Sequence, residues 1–379
     1  MSLKVVINAF SARLGGGQTY LRNLLAYMPE RDDLEVLVYA PTELDLPNHP
    51  QLRRMVTRWP TTNPLLRALW ERLVLPRILQ REQADVLFCP GGVVATTPPT
   101  GCRVVTMFRN MIPFDPSTCK NIPWGLQRLR NVILKRVMLK SMANADLTIF
   151  ISDHARGVIE AMARIKNPVT IPHGISRAFQ SFDQALERPS FLPEGEYLLY
   201  VSRFDVYKHH YEVVSAYARL PDALRRRFGL VLAGEADLPE AVRVRQLIER
   251  LDLGERVRLL GSIAYSELPA VYQHAYLVLF ASSCENCPNI LLEALGSGRP
   301  VLSSNVMPMP EFGGDAVAYF SPFDPDDILK TMQKVLTDND YAQHLAAAAA
   351  RRSARYDWES TAKATWAHIF RLIEGAPTR

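Results

Sequence analysis

The chain lacks any run approaching the ~20 apolar residues that a membrane-spanning helix needs, so none is expected. Met1-Ser2-Leu3-Lys4-Val5-Val6-Ile7-Asn8 has neither a long apolar segment nor a small-residue cleavage site, and reads as a first strand rather than a signal peptide. Cysteine is scarce: Cys89, Cys102, Cys119, Cys284 and Cys287 are all there are. Only Cys284 and Cys287 are spaced as metal or redox pairs are, and no second pair completes a zinc site, so thiols in a reducing cytosol are expected. No tandem repeat and no low-complexity tract appears beyond Ala346–Ala350, which favours helix. The dinucleotide fingerprint is also missing: in Leu14-Gly15-Gly16-Gly17-Gln18-Thr19-Tyr20, tyrosine stands where the third glycine belongs. That absence argues against a nicotinamide-dependent dehydrogenase.

What is present is length enough for two ordinary domains, 379 residues, each able to bury a core. Charge is unevenly shared. Residues 1–180 carry 23 Lys/Arg against 13 Asp/Glu, while the remainder carries 21 against 26. The basic half holds two amphipathic-looking stretches, Leu65–Arg81 and Trp124–Met142. The second sets Arg128, Arg130, Lys135, Arg136 and Lys140 among Leu126, Leu129, Ile133 and Val137. Such a surface suits peripheral contact with anionic lipid, or else it is a solvated helix face over a core. Nucleic acid is not expected as a partner, because no recognition motif accompanies the charge.

Apolar strands alternate with helical stretches from end to end. Residues 4–10 read as a strand, followed by the glycine loop and a helix to about Met28; further strands are expected over 35–40, 84–89, 103–108 and 145–151. Glycines after a strand let backbone N–H groups approach a phosphate. Ligands in open α/β sheets sit beyond the carboxyl ends of the strands, so Gly16, Gly91, Arg109 and Asn110 are expected on one edge. Ser152 reads as the cap of a helix to about Arg164, and His173 as a turn residue. Residues 176–196 lack periodicity, carry Pro189 and Pro193, and read as a linker. The alternation then restarts, with strands over 197–202, 229–233, 256–260, 275–280, 300–303 and 316–320, and a final amphipathic helix from Trp358 to Ile373. The expected fold is α/β: two doubly wound, Rossmann-like parallel sheets facing across a cleft. The expected domains are 1–178, 190–355, and a carboxyl-terminal helix in 356–379 that crosses back to the first.

The most informative stretch is Phe280–Asn305. A buried strand ends at Phe280, a polar loop follows, and Pro288 or Asn289 starts a helix that Gly296 and Gly298 end. Glu285 and Glu293 bracket the helix start. An uncapped helix N-terminus offers N–H donors and partial positive charge to a phosphate or sugar hydroxyl. Upstream, Arg203 ends a strand, with Lys208 following it, and Gly234-Glu235 ends the next.

With these residues in hand, the chain resembles the retaining GT-B glycosyltransferases, specifically glycosyltransferase family 4. The matching pieces are Gly15-Gly16-Gly17, Tyr200-Val201-Ser202-Arg203 with Lys208, Gly234-Glu235, and the E-x7-E element from Glu285 to Glu293. The likeness runs from the first strand to the last helix. It implies acceptor binding mostly by the first domain and nucleotide-sugar binding mostly by the second. Arg203 and Lys208 would neutralise the donor diphosphate, and Glu293 would hold the ribose. Glu285 with Asn286, Cys287, Pro288 and Asn289 would hold the transferred sugar, and Ile263 would lie near the base. Gly16 and Gly17 would approach phosphate or acceptor, with Gly234 beside the donor and Arg109 and Asn110 near the acceptor or sugar. Arg109-Asn110 occupies the region where many relatives carry a histidine, Ser202 replaces a usual glycine, and Cys287-Pro288-Asn289 replaces a commoner Phe-Gly variant. With no D-x-D-type metal site read in the chain, neither metal nor cofactor is expected. The implied activity is retaining, metal-independent transfer of a hexose from a UDP- or GDP-sugar to a glycan or lipid-linked saccharide in surface polysaccharide or lipopolysaccharide synthesis. The expected place is the cytoplasm, at the inner membrane face if the basic helices rest on lipid. A nucleotide-sugar epimerase and a non-catalytic membrane-surface protein are the alternatives.

Overall fold

In the computed structural model, which describes residues 3–13, 15–59, 61–121, 125–180 and 185–374, the strand–helix alternation resolves into two all-parallel sheets. The first is built from β1 (Leu3–Asn8), β2 (Leu34–Tyr39), β3 (Leu52–Met55), β4 (Val86–Cys89), β5 (Arg103–Phe108), β6 (Leu147–Phe150) and β7 (Pro168–Thr170). Its order is β3-β2-β1-β4-β5-β6-β7. The second contains β8 (Glu196–Val201), β9 (Phe228–Ala233), β10 (Val257–Gly261), β11 (Leu277–Phe280), β12 (Val301–Ser304) and β13 (Ala318–Phe320), in the order β10-β9-β8-β11-β12-β13. The central strands are fully buried apolar runs, such as Val86-Leu87-Phe88-Cys89 and Leu277-Val278-Leu279-Phe280, because helices cover both faces of a parallel sheet. Strand order reverses between β1 and β4 and between β8 and β11, the two switch points where such sheets open a crevice.

The chain divides into one unit of residues Met1–Gly174 with Trp358–Arg379 and another of Ile175–Asp357. Within the first, the last helix, Trp358–Glu374, packs on the first, Gly16–Ala26. Trp366 is buried and donates its indole N–H to the Leu24 carbonyl at 3.0 Å. The Tyr20 hydroxyl lies 3.4 Å from Thr365 Oγ1. His173 is buried between the Tyr20 and Trp358 rings, at 5.5 and 5.3 Å, which makes it a packing residue.

Several expectations need correction. β3 escaped notice because Leu52-Arg53-Arg54-Met55 is an edge strand with exposed arginines and no apolar run. The Leu65–Arg81 stretch is two helices, Pro64–Leu73 and Leu75–Arg81, broken where Pro76 withholds a backbone donor. Ser152 does cap its helix, accepting from the Ala155 N–H, but the helix ends at Glu160. Residues expected to be a linker pack on the second unit instead. Phe179 is buried against Tyr265 and Tyr272, and the Leu186 N–H donates to Gln273 Oε1 at 2.7 Å. Leu14, Trp124 and residues 181–184 lie outside the described residues. No helix among the described residues is long and apolar enough to cross a membrane.

Gly234 shows why one position admits no side chain. Its φ is +149°, its N–H donates to the Gly261 carbonyl at 2.8 Å, and a Cβ there would stand 2.0 Å from the Ser202 carbonyl oxygen. Gly234→Ala is expected to destabilise the second unit by about 3 kcal/mol or more, through overpacking against backbone that cannot yield. Trp366→Ala is expected to cost roughly 3–5 kcal/mol in the first unit. Urea denaturation followed by circular dichroism measures both.

Candidate functional site

The candidates of the second unit stand at the carboxyl ends of β8, β9, β10 and β11. After β8 the chain makes a short 3-10 turn, Val206–Lys208, and His209 then takes a left-handed conformation at φ 53° before the His210–Ala218 helix. The turn is pinned to the loop that follows β11. Ser283 N–H donates to the Tyr207 carbonyl at 2.8 Å, and His209 Nε2 lies 2.8 Å from Ser283 Oγ. The Tyr200 hydroxyl donates to the Lys208 carbonyl at 2.5 Å. This scaffold holds Lys208, only 7% exposed, so that its ammonium donates to Glu285 Oε1. The ammonium also lies 5.2 Å from the centre of the Phe280 ring. His210 is stacked on Tyr200 and Phe204, with ring centres 4.5 and 4.1 Å away. Burial, helped by the charge of Lys208, lowers its pKa to about 3, so it is a neutral aromatic spacer.

Arg203 is half-exposed where β8 ends. It donates to Asp237 Oδ2 at 3.2 Å and lies 3.6 Å from Glu235 Oε2. Exposed pairs of this kind are weak, so a phosphate would compete with both carboxylates for the guanidinium. Gly234 packs behind this strand end, and Ile263, after β10, packs against the core of the unit.

The helix after β11 spans Asn289–Gly296 and begins at Pro288 without a side-chain cap or an acidic residue in its first turn. Asn286 and Pro288 are buried; Cys287 and Asn289 are partly exposed. Glu293 is 8% exposed, one turn into the helix. Burial pushes its carboxyl up to about 8, against the opposing pull of the Tyr265 and Tyr272 hydroxyls. The Tyr272 hydroxyl falls short of a well-formed hydrogen bond. The structure therefore gathers Arg203, Lys208, Glu285 and the helix start around one sheet edge, with a largely neutral Glu293 beside them.

In the first unit, Gly15 takes a positive φ of 60° and Gly16 opens the first helix. A Cβ on Gly17 would stand 3.2 Å from Arg109 Nη1, so the glycine loop and the end of β5 are brought together as expected. The Arg109 guanidinium also lies 5.7 Å from the centre of the Tyr20 ring. Asn110 is exposed, and its Oδ1 accepts from the Ile112 N–H at 3.2 Å. Gly91 abuts Ser11, whose Oγ would lie 2.2 Å from an added Cβ.

Sequence reasoning missed a buried carboxyl at the first switch point. Asn8 Nδ2, at the end of β1, donates to Glu71 Oε1 at 2.9 Å, and burial raises the Glu71 pKa. Glu71 sits in a stretch that looked like a solvated basic helix. Its signal was being the only acid among Arg67, Arg72, Arg77 and Arg81. The partners of Glu293 were also missed, since Tyr265 and Tyr272 come from another strand–helix connection.

Among the described residues, no group of three or more His, Cys, Asp or Glu gathers as a metal site. The sequence does contain two D-x-D triplets, Asp324–Asp326 and Asp338–Asp340. Both are helix starts: Asp324 accepts from the Asp326 N–H and Asp338 from the Tyr341 N–H.

Two family models match adjoining parts of the chain: "Glycosyltransferase Family 4" over residues 14–179 and "Glycosyl transferases group 1" over residues 182–352. A serotype-specific mannosyltransferase, WbdA of Escherichia coli, is 29% identical over 249 residues, 63% of this chain and 30% of the relative. The O-antigen chain mannosyltransferase B of Escherichia coli is 30% identical over 164 residues, 43% of each chain. The matches therefore span less than half the length of these two curated relatives. The solved structure of HepE from Anabaena, in complex with UDP and glucose, superimposes with a TM-score of 0.72 at 17% identity, covering 97% of this chain and 99% of that one. That likeness shows the GT-B fold, with its two Rossmann-like domains. The two family matches, which between them run from residue 14 to residue 352, say the rest: the chain belongs to the group 1, family 4 glycosyltransferases.

Proposed function

We propose that the chain transfers a hexose from a nucleoside-diphosphate sugar to a saccharide hydroxyl in the assembly of a surface polysaccharide, with retention of anomeric configuration and without a metal. The observation that carries this reading is the cation–helix arrangement after β8 and β11: Lys208 fixed against Glu285, Arg203 at the strand end, and an uncapped helix start at Pro288–Asn289. Such an edge suits a leaving diphosphate, whose growing charge needs preorganised cations and backbone donors. Glu285 with the Asn286–Asn289 backbone would take the sugar, Glu293 the ribose, and Ile263 the region of the base. Gly16, Gly17, Arg109 and Asn110 of the first unit would serve the acceptor or donor phosphates.

In this mechanism the bond between the anomeric carbon and the diphosphate oxygen breaks, and its electron pair leaves with the nucleoside diphosphate. The acceptor hydroxyl oxygen bonds to the anomeric carbon on the same face. Its proton passes to the departing phosphate oxygen, so no protein nucleophile is consumed. The protein supplies orientation and charge. The mannosyltransferase relatives make mannose the first sugar to test, and the UDP complex of HepE makes uridine nucleotides the necessary comparison.

Thermal shift with UDP, GDP and ADP and their hexose conjugates tests the donor. At about 100 times its Kd, a bound nucleotide should stabilise the chain by about 2.7 kcal/mol. If no nucleotide raises the melting temperature, the donor assignment is wrong. Lys208→Ala and Glu293→Ala should each lower transfer roughly a hundredfold or more. Because removing one member of a buried ion pair costs roughly 3–5 kcal/mol, turnover must be normalised to folded protein. Near-normal turnover per folded molecule in both variants would sink the site.

Glu293 gives a separate pH test. Its folded value of about 8 lies above the ordinary 4.5, so its favourable contribution is complete below the unfolded value and is lost as pH rises through about 8. Glu293→Gln has no such loss. Its stability relative to the parent should therefore increase between about pH 5 and about pH 8, as read from denaturation midpoints. A constant difference across that window would contradict the assigned environment.

A further inference from the structure

Ser283 stands directly before Cys284 and Glu285, at the head of the loop that would take the sugar, and is only 6% exposed. Its hydroxyl donates to the Tyr207 carbonyl at 3.3 Å. A hydroxyl has one proton to give, so its oxygen accepts from His209 Nε2 at 2.8 Å. His209 is itself 7% exposed and is enclosed on its other sides. Its Nδ1 lies 3.5 Å from Glu212 Oε2, and the Phe323 ring meets the imidazole edge-on with centres 4.9 Å apart. Carboxylate, imidazole and hydroxyl thus follow one another in the order of a hydrolytic triad. Ser283 is nevertheless no nucleophile, because its proton goes to a backbone carbonyl and it is nearly closed to solvent. The series is a clasp.

Two things must be held at this edge, the ammonium of Lys208 and the loop from Cys284 to Asn289. The ammonium has supports that do not involve the imidazole: the Tyr200 hydroxyl on the Lys208 carbonyl, and Glu285. The loop depends on Ser283, whose side chain is held by Tyr207 and His209. Losing the imidazole should therefore loosen the sugar end of the site and spare the phosphate end. His209 also occupies left-handed backbone, at φ 53°, which histidine and asparagine tolerate better than most residues. We propose that His209 is a positioning residue for the transferred sugar: through Ser283 it sets the loop from Cys284 to Asn289 against Lys208. It governs the affinity for the sugar moiety and leaves the affinity for the nucleotide unchanged. This inference rests on the donor-site reading given above.

Calorimetric titration of the full chain with GDP and GDP-mannose, and with UDP and UDP-glucose, tests it. The quantity read is the Kd of the sugar nucleotide divided by the Kd of its nucleotide. Asparagine suits the left-handed backbone but is too short to reach Ser283. His209→Asn should therefore raise this ratio about fivefold, the worth of one neutral hydrogen bond. The nucleotide alone should bind within about twofold of the parent. Ser283→Ala should raise the ratio equally, and the double variant no further, because either change removes the same bond. His209→Gln, whose terminal amide reaches as far as Nε2 did, should bring the ratio back to within about twofold of the parent. A merely structural role predicts otherwise, since looser packing weakens nucleotide and sugar nucleotide alike. The proposal is overturned if His209→Asn and Ser283→Ala leave the ratio unmoved, or if the nucleotide weakens as much as its conjugate. It is also overturned if the two changes multiply in the double variant, or if His209→Gln behaves as His209→Asn does. A parent chain that binds neither nucleotide overturns the donor-site reading and this inference with it. A parent that binds nucleotide, with variants that leave the ratio unmoved, overturns this inference alone.

Discussion

The ion pair between Lys208 and Glu285 is the constraint around which the candidate donor site is arranged. Both charges are largely withdrawn from water, and a buried pair is tolerated only when its geometry is fixed and its remaining hydrogen-bonding groups are served. The fixing of the geometry is visible around it: Tyr200 holds the Lys208 carbonyl, Ser283 holds the turn carbonyl of Tyr207, and His209 reaches Ser283. The pair thus ties the end of β8 to the loop after β11 across the point where the sheet changes direction. Such a pair contributes less to stability than to position. It fixes where a positive and a negative group stand relative to the helix start that follows them.

The two acids of the E-x7-E element have been separated by their surroundings. Glu285 answers a cation, whereas Glu293 is enclosed and leans toward its neutral form. A neutral carboxyl can donate one hydrogen bond and accept others, which suits a diol as well as a carboxylate does. Identical side chains thereby acquire different chemical characters from burial alone.

Much of the architecture was legible because parallel strands leave continuous apolar runs, and because glycine and proline mark where those runs end. The start at Pro288 and Asn289, the strand end at Arg203 and the neighbouring Gly17 and Arg109 could all be read in this way. What remained hidden depended on distant partners. Nothing near Lys208 in the sequence announces Glu285, and nothing near Glu293 announces Tyr265 or Tyr272. β3 was hidden because an edge strand needs little apolar content, and Glu71 because a single acid among arginines looks solvated until tertiary packing encloses it. The basic helix beginning at Leu126 had the right composition for two opposite orientations, and only packing against the sheet selected the one that leaves leucine outside.

The placement of the last helix has a consequence for biosynthesis. The Ile175–Asp357 unit is contiguous, so all of its strands are available once that segment has left the ribosome. The amino-terminal unit, although made first, must wait for Trp358–Glu374 before Trp366 can cover the first helix at Leu24. Domains usually fold in order of synthesis. Here the earlier-made unit is completed last, and its first helix keeps an uncovered apolar face throughout translation of the later one.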